Sequence, residues 1–367
     1  MLLYSCTAVA DFMLRALPRP AVASRGRRVR SVLLPLLALH GCGGMSAPRL
    51  VSRDLAGVAA FLNSDACRNV VVLSGAGVSC ASGIPDFRSP GGMYKTLKPE
   101  LITATPAQRA AMAREPMMVV SRDLFLENQF PYHEVRRPFI LGTEAGEWKA
   151  TLFHRFLEVL DAKGKLLRVF TQNIDGLDFQ TGVDPARIVP CHGSIAQCAC
   201  EICDAPLPFG EYCARVRSNI KDIYSVDPSA PKASSNLRCD ACGKNGLKSK
   251  TVLFGGQLPS TFFDALQADL PRADLVLVAG TSLVVSPANA VAARAPPGAV
   301  RVVLNNERVG EDLGLRFDGG GREDVFLEGD CDGVVAALAE AADWLGELAP
   351  FADRLPGASR AALQSRL

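Results

Sequence analysis

Four short apolar segments, each ending at a glycine or a polar residue, constrain the fold of this chain more than any single motif. They are residues 69–74 (NVVVLS), 166–171 (LLRVFT), 274–279 (DLVLVA) and 300–304 (VRVVL). Their β-branched, apolar composition is typical of buried parallel strands. Residues 54–63, much of 105–160 and 333–348 have helical apolar spacing. Strands that alternate with helices predict an α/β fold with a doubly wound parallel sheet.

The residues that follow these strands predict where a ligand binds. Gly75, Gln172, Gly280 and Asn305 each come at or directly after a strand end. In open parallel sheets, ligands bind outside the carboxyl ends of the strands. We therefore expect these four loops to converge on one site.

The loop after the first strand reads GAGVSCASGIPDFRSPGGMY and begins at Gly75. Gly75 and Gly77 match the start of a G-x-G-x-x-G turn, which lets backbone N–H groups approach a pyrophosphate. The third glycine position holds Cys80, and the acidic residue nearest the expected distance, Glu100, lies in a Pro/Gly-rich stretch rather than at a strand end. The loop thus favours a dinucleotide site without the fingerprint of a hydride-transfer enzyme.

The second half of this loop carries an anion, an aromatic ring and a cation at Asp86, Phe87 and Arg88, followed by Ser-Pro-Gly-Gly. This composition predicts a functional flap over the ligand, and the alternative is an ordinary surface loop.

His192 is one of four histidines and follows the apolar run 187–190. A lone histidine is more often structural than catalytic. Its position at a strand end that faces the nucleotide loops favours a general base, because histidine titrates near neutral pH.

Twelve cysteines are present, and seven of them fall between Cys191 and Cys242. This clustering favours metal binding over a disulfide framework. Two C-x₂-C pairs, Cys200/Cys203 and Cys239/Cys242, predict one closed, structural Zn²⁺ site. Cys198 and Cys213 compete as ligands, and spacing alone leaves that choice open.

The first 50 residues contain seven arginines, no lysine and a single acidic residue, Asp11. This composition predicts a transit peptide and the mitochondrial matrix. The alternatives are a signal-peptide core, a disordered leader, or a start at Met45 with a cytoplasmic or nuclear protein. We expect a loose tail over 349–367, no transmembrane segment, and, from the net charge of +2, no nucleic-acid or membrane partner.

The motifs together resemble the sirtuin family, the Sir2-type NAD-dependent protein-lysine deacylases, with class I-like motifs. The matching pieces are the glycine loop, TQNIDGL (171–177), HG (192–193), the two C-x₂-C pairs, VLFGGQLP (252–259), GTSLVVSPA (280–288), LNNE (304–307) and GDC (329–331). The resemblance covers about residues 54–348. It implies a catalytic domain over 51–348, with a Rossmann-like part (about 51–100, 163–195 and 250–348), a helical module (about 100–162) and a zinc module (about 196–249).

The resemblance also implies residue roles. His192 and Asn173 would be catalytic, and Cys200, Cys203, Cys239 and Cys242 would bind one structural Zn²⁺, which favours Cys200 over Cys198. The substrate peptide would pair as an added strand with Val252, Leu253, Phe254 and Gly255. NAD, as co-substrate, would contact Gly75, Ala76, Gly77, Ile84, Pro85, Asp86, Phe87, Arg88, Tyr94, Gln172, Asn173, Ile174, Asp175, Gly280, Thr281, Ser282, Asn305, Asn306 and Cys331.

The implied reaction consumes NAD without moving a hydride. The acyl-lysine carbonyl oxygen attacks the ribose carbon that carries nicotinamide, nicotinamide leaves, and His192 takes a proton from a ribose hydroxyl. The products are lysine, O-acyl-ADP-ribose and nicotinamide, and the partners are acylated-lysine proteins or peptides. The alternatives are an NAD-dependent protein mono-ADP-ribosyltransferase and a non-enzymatic interaction protein that binds NAD and zinc.

Three departures from the family pattern concern the strand end and the substrate. Pro190-Cys191 precedes His192, and Gly256 stands where the family commonly has Glu. Relatives that prefer acidic acyl groups carry Tyr and Arg three residues apart, whereas Tyr132 and Arg136 are four apart here. Residues at i+3 and i+4 share a helix face, so a preference for acidic acyl groups is a secondary interpretation. The alternative interpretation is that these residues form a solvated basic face of a helix.

Overall fold

Strands and helices alternate along the computed structural model, which describes residues 49–84, 92, 94–319 and 323–367. The strands are β1 (Val70–Ser74), β2 (Leu166–Thr171), β3 (Ile188–Pro190), β4 (Gly193–Cys200), β5 (Pro206–Leu207), β6 (Leu247–Thr251), β7 (Leu275–Ala279), β8 (Val300–Asn305) and β9 (Asp324–Glu328). The helices are α1 (Leu55–Asn63), α2 (Pro106–Arg114), α3 (Arg122–Glu127), α4 (Phe130–Ala145), α5 (Leu152–Ala162), α6 (Phe209–Asn219), α7 (Ser260–Asp269), α8 (Ala290–Ala293), α9 (Cys331–Ala341), α10 (Leu345–Leu348) and α11 (Gly357–Gln364).

The large sheet has six parallel strands in the order β3-β2-β1-β7-β8-β9. Counted along the chain, these strands have the spatial order 3-2-1-4-5-6, which is that of dinucleotide-binding Rossmann folds. The order reverses between β1 and β7, where a ligand crevice forms in such sheets. The predicted doubly wound parallel sheet is confirmed.

The two faces of the sheet are covered by different helices. Along β1, Val70 and Val72 pack in one apolar cluster with residues of α1, α5 and α9. Val71 and Leu73 pack in a second cluster with residues of α7 and α8. Successive strand residues point to opposite faces, so the continuous apolar run of β1 lets one strand contribute to both cores.

The edge strand β9 was not predicted, because DVFLE has only three apolar residues between two acids. It pairs in parallel with β8. The Asp324 carboxylate accepts hydrogen bonds from Nε and Nη2 of Arg301 on β8, at 2.7 and 2.6 Å. Both side chains are buried, so this ion pair lies in the core and joins β9 to β8.

A second, antiparallel sheet has the order β5-β4-β6. Its strand β4 begins at Gly193, directly after His192. Residues of β4, α4 and α6 form its apolar cluster. The connection from the large sheet to the small sheet therefore contains the predicted catalytic histidine.

The C-terminal region differs from expectation in two ways. The predicted closing helix 333–348 is divided into α9 and α10, with Asp343 at φ 61° between them. The residues predicted as a loose tail include α11, whose Leu363 is fully buried and whose Ser359 hydroxyl donates to Asp332. Apolar contact and this buried hydrogen bond hold the segment against the domain.

Across the described parts of the chain, the helices lack the length and apolar character that crossing a membrane requires.

Candidate active site

A cavity of about 660 Å³ lies at the carboxyl edge of the large sheet. Its volume is within the range of about 300–1,000 Å³ typical of ligand pockets. Loops after all six parallel strands contribute to its wall, so the predicted convergence is confirmed. The predicted site residues in the wall are Ala76, Gly77, Tyr94, Gln172, Asn173, Ile174, His192, Val252, Leu253, Phe254, Gly255, Gly280, Thr281, Ser282, Asn305, Asn306 and Cys331.

The remaining predicted NAD contacts divide into two groups. Gly75, Ile84 and Asp175 are described but are not part of the cavity wall. Pro85, Asp86, Phe87 and Arg88 lie outside the described residues. The predicted flap therefore stays a prediction.

Glycines bring the loops after β1 and β7 into backbone contact. The N–H of Gly75 donates to the Ala279 carbonyl at 3.0 Å, and that of Gly77 donates to the Gly280 carbonyl at 2.8 Å. A Cβ on Gly77 would lie 2.6 Å from the Gly280 Cα. These two N–H groups are thus used between loops, and the NAD contacts predicted for Gly75 and Gly77 stay predictions. The glycines permit the close approach that shapes the crevice.

A hydrogen-bond network orients the amide of Asn173. Its Nδ2 donates to the Gly75 carbonyl at 3.0 Å and to Ser79 Oγ at 3.2 Å. Ser79 Oγ in turn donates to Asp175 at 2.7 Å. Because both Nδ2 hydrogens are used, Asn173 presents Oδ1 as its acceptor for a ligand in the cavity.

Asp175 therefore lies behind the cavity wall and is bound to Ser79, which the sequence analysis did not identify. Burial raises the pKa of Asp175, while the charge of His154 and the hydrogen bonds from Leu177 and Ser79 oppose that rise. Sequence could not identify Ser79, since a serine inside a glycine loop has no distinguishing pattern.

His192 has the geometry of a base. Its Nδ1 lies 2.8 Å from the Gln172 carbonyl, and since a carbonyl only accepts, Nδ1 carries the proton. Nε2 is then the basic nitrogen of the neutral ring. Burial lowers the pKa of His192, which keeps the ring neutral and able to take a proton near pH 7.

The four predicted metal ligands form a single cluster. The sulfurs of Cys200, Cys203, Cys239 and Cys242 lie within 4.8 Å of one another. The Cys200–Cys242 and Cys203–Cys239 sulfur pairs are both 3.7 Å apart. Tetrahedral Zn²⁺ with Zn–S bonds of about 2.3 Å requires sulfurs about 3.8 Å apart. The cluster fits zinc in a closed, structural site.

The two competing cysteines lie outside this cluster. Cys198 and Cys213 are buried in the apolar core of the small module. Neither sulfur belongs to the group of four that lie within 4.8 Å of one another. Packing thus decides a question that spacing left open.

The segment 252–255 is already hydrogen-bonded along one edge. Val252 N–H donates to the His192 carbonyl at 2.8 Å. The Phe254 N–H donates to the Val120 carbonyl at 3.0 Å, and the Phe254 carbonyl accepts from Arg122 N–H at 2.9 Å. These bonds use the N–H groups of Val252 and Phe254, and the predicted pairing of the segment with a peptide stays a prediction. The opposite edge carries Leu253 and Gly255, where the Leu253 carbonyl accepts from the Gly256 N–H at 2.8 Å.

Arg136 is a residue of the cavity wall for which the sequence analysis predicted no definite role. It lines the cavity and is 6% exposed. Nearby, the Tyr132 hydroxyl lies 3.3 Å from Oγ1 of Thr251, another wall residue. Among the described wall residues, Arg136 thus adds a nearly buried cation to apolar and polar neighbours.

Comparison with known proteins gives consistent results. The family model described as the Sir2 family matches residues 75–287. NAD-dependent protein deacetylase sirtuin-3 of Mus musculus is 33% identical over 336 residues, covering 90% of this chain and 88% of that protein. NAD-dependent protein deacetylase sirtuin-2 of Danio rerio is 32% identical, covering 81% of this chain and 74% of that protein. NAD-dependent protein deacetylase SIR2rp1 of Leishmania major is 36% identical, covering 71% and 62%.

Proposed function

The chain belongs to the Sir2 family, and from this membership we infer that it is an NAD-dependent protein deacetylase. The observation that carries this inference is the position of His192. His192 lines the same cavity as the glycine-loop residues Ala76 and Gly77 and as Asn173, and its Nδ1 is bound to the Gln172 carbonyl.

We propose the following roles for the chain's own residues. Asn173 Oδ1 accepts a hydrogen bond from NAD, which is a substrate, and His192 Nε2 takes a proton from a ribose hydroxyl. Leu253 and Gly255 pair with the acyl-lysine peptide. When bound, zinc supplies a structural cross-link, and Cys200, Cys203, Cys239 and Cys242 would hold it.

The experiment that tests this function uses the full-length protein, NAD and an acetyl-lysine peptide. We expect nicotinamide release that depends on the acetyl group, with equal amounts of deacetylated peptide and O-acetyl-ADP-ribose. The matched control is the same peptide with unmodified lysine. Label from NAD that stays on protein without loss of acetyl would favour ADP-ribosyl transfer, and unchanged NAD would favour a non-enzymatic protein.

A second candidate substrate class follows from Arg136, whose nearly buried guanidinium lines the cavity. Such a cation favours an acyl chain that ends in a carboxylate, because charge-assisted hydrogen bonds are strong where water is excluded. We expect Arg136→Met to lower kcat/KM for succinyl- or glutaryl-lysine peptides by about 10- to 100-fold, from hydrogen bonds to charge worth about 1.5–3 kcal/mol. Turnover of the acetyl peptide should change by less than about threefold.

Steady-state rates on this acyl panel decide the preference. An equal loss on the acetyl and acidic peptides would assign Arg136 a purely structural role.

Mitochondrial targeting stays a prediction from composition. Residues 1–48, on whose composition this prediction rests, lie outside the described residues.

A further inference from the structure

One carboxylate in the turn between two cluster cysteines contacts two basic side chains whose residues bind the cavity wall. Glu201 lies between the ligands Cys200 and Cys203. Its Oε1 accepts from Arg122 Nε at 2.7 Å, and its Oε2 lies 3.1 Å from Lys248 Nζ. Glu201 thus connects the cysteine cluster to residues of α3 and β6.

Lys248, through its ammonium group, and Arg122, through its main chain, both bind residues 251–254, which we call the wall segment. Lys248 Nζ donates to the Thr251 carbonyl at 2.6 Å, at the start of the segment. The main-chain N–H of Arg122 donates to the Phe254 carbonyl at 2.9 Å, at its end. The carboxylate of Glu201 therefore supports the start of the segment through the Lys248 ammonium, and it reaches the end only through the side chain of the residue whose main chain binds Phe254.

Burial makes the Lys248 contact the stronger of the two. The Lys248 side chain is 4% exposed, while that of Arg122 is 41% exposed. An ammonium group taken from water needs a counter-charge, whereas an exposed ion pair contributes little. Without Glu201, Lys248 would lose the ion pair it makes in the described structure and would pull away from the Thr251 carbonyl toward water.

The metal cluster sets where this carboxylate lies. Along the chain, Glu201 lies between the ligands Cys200 and Cys203. Its main-chain N–H donates to the Gly246 carbonyl at 2.7 Å. The backbone of Glu201 is thus held in one place when the four sulfurs share an ion.

We propose that Glu201 is a positioning residue that couples the zinc cluster to peptide binding, by holding the wall segment where the acyl-lysine peptide pairs with it. This inference rests on the proposed function. It gives the zinc cluster a part in substrate affinity besides its part in folding.

The test is Glu201→Gln in the full-length protein, which removes the charge and keeps the shape. We expect KM and Kd for the acetyl-lysine peptide to rise about tenfold, which corresponds to about 1.4 kcal/mol of lost coupling. The value of kcat, the Kd for NAD and a zinc content of one ion per chain should stay within about twofold of wild type. A purely structural role would lower kcat, NAD affinity and zinc content together.

Asp204→Asn is the matched control in the same turn. Its carboxylate pairs at 3.6 Å with Lys250, and both side chains are exposed, so peptide KM should stay within about twofold. If Glu201→Gln raises peptide KM no more than Asp204→Asn does, with zinc retained, the proposal is overturned.

Lys248→Met provides a second variant, in case Glu201→Gln loses its metal. This substitution removes the ion pair between Glu201 and Lys248 by a change at a residue outside the cysteine cluster. The expected result is again a higher peptide KM with zinc retained, and an unchanged KM would overturn the proposal. Absence of turnover in the wild type would instead overturn the proposed function itself.

Discussion

His192→Ala is expected to lower kcat for deacetylation by about 10²–10⁴-fold, the usual contribution of a general base. The substitution removes Nε2, the nitrogen that the Gln172 carbonyl keeps basic by binding the proton of Nδ1. Nicotinamide and deacetylated peptide, measured together in single-turnover and steady-state assays, give the size of the loss.

The variant should still bind NAD and keep one zinc per chain. The main-chain carbonyl of His192 accepts a hydrogen bond from the Val252 N–H, and alanine retains that bond. Turnover above about one tenth of wild type would contradict the assignment of His192 as the base.

The pH profile of the wild type is an independent readout of the same group. Burial lowers the pKa of His192 below its ordinary value of 6.5. A base works in its neutral form, so kcat/KM should rise with pH through that lowered pKa, with the midpoint of the rise below pH 6.5. This acidic limb should be absent from the residual activity of His192→Ala. An unchanged limb in the variant would mean that another group controls it.

Cys200→Ser is expected to abolish zinc binding and to destabilise the small module. Structural zinc sites contribute on the order of 10 kcal/mol to folding, because the unfolded chain has no preformed site. With three sulfurs left, metal analysis should give far less than one zinc per chain, and the unfolding midpoint should fall. Deacetylation should be lost with it, since β4 of the module begins next to His192.

Cys213→Ala is the matched control. Cys213 is fully buried in the same module but lies outside the sulfur cluster. Its loss leaves a small cavity, so we expect about 1–2 kcal/mol of destabilisation with one zinc retained. If Cys213→Ala also lost its zinc, or if Cys200→Ser kept it, the assigned ligand set would be wrong.

Much of the fold could be predicted because the deciding signals are local. The β-branched run 70–74 can form only a strand buried on both faces, and the glycine after it marks the strand end. The same pattern at β2, β7 and β8 predicts a parallel sheet, and the convergence of its loops on one cavity follows from strand direction. The strand β9 and the helix α11 were missed, since long-range contacts stabilise them more than their own composition does.

The sequence by itself determined the architecture, the family, the zinc-type cysteine pairs and the presence of a histidine at the edge of the sheet. Only the tertiary structure decided that Cys198 and Cys213 are core residues, that Gly77 packs on Gly280, that Ser79 orients Asn173, and that Glu201 supports the cavity wall. The physical reason is distance along the chain. Periodicity and motif spacing describe neighbouring residues, whereas these contacts join side chains and loops that come together only when the sheet and the small module pack.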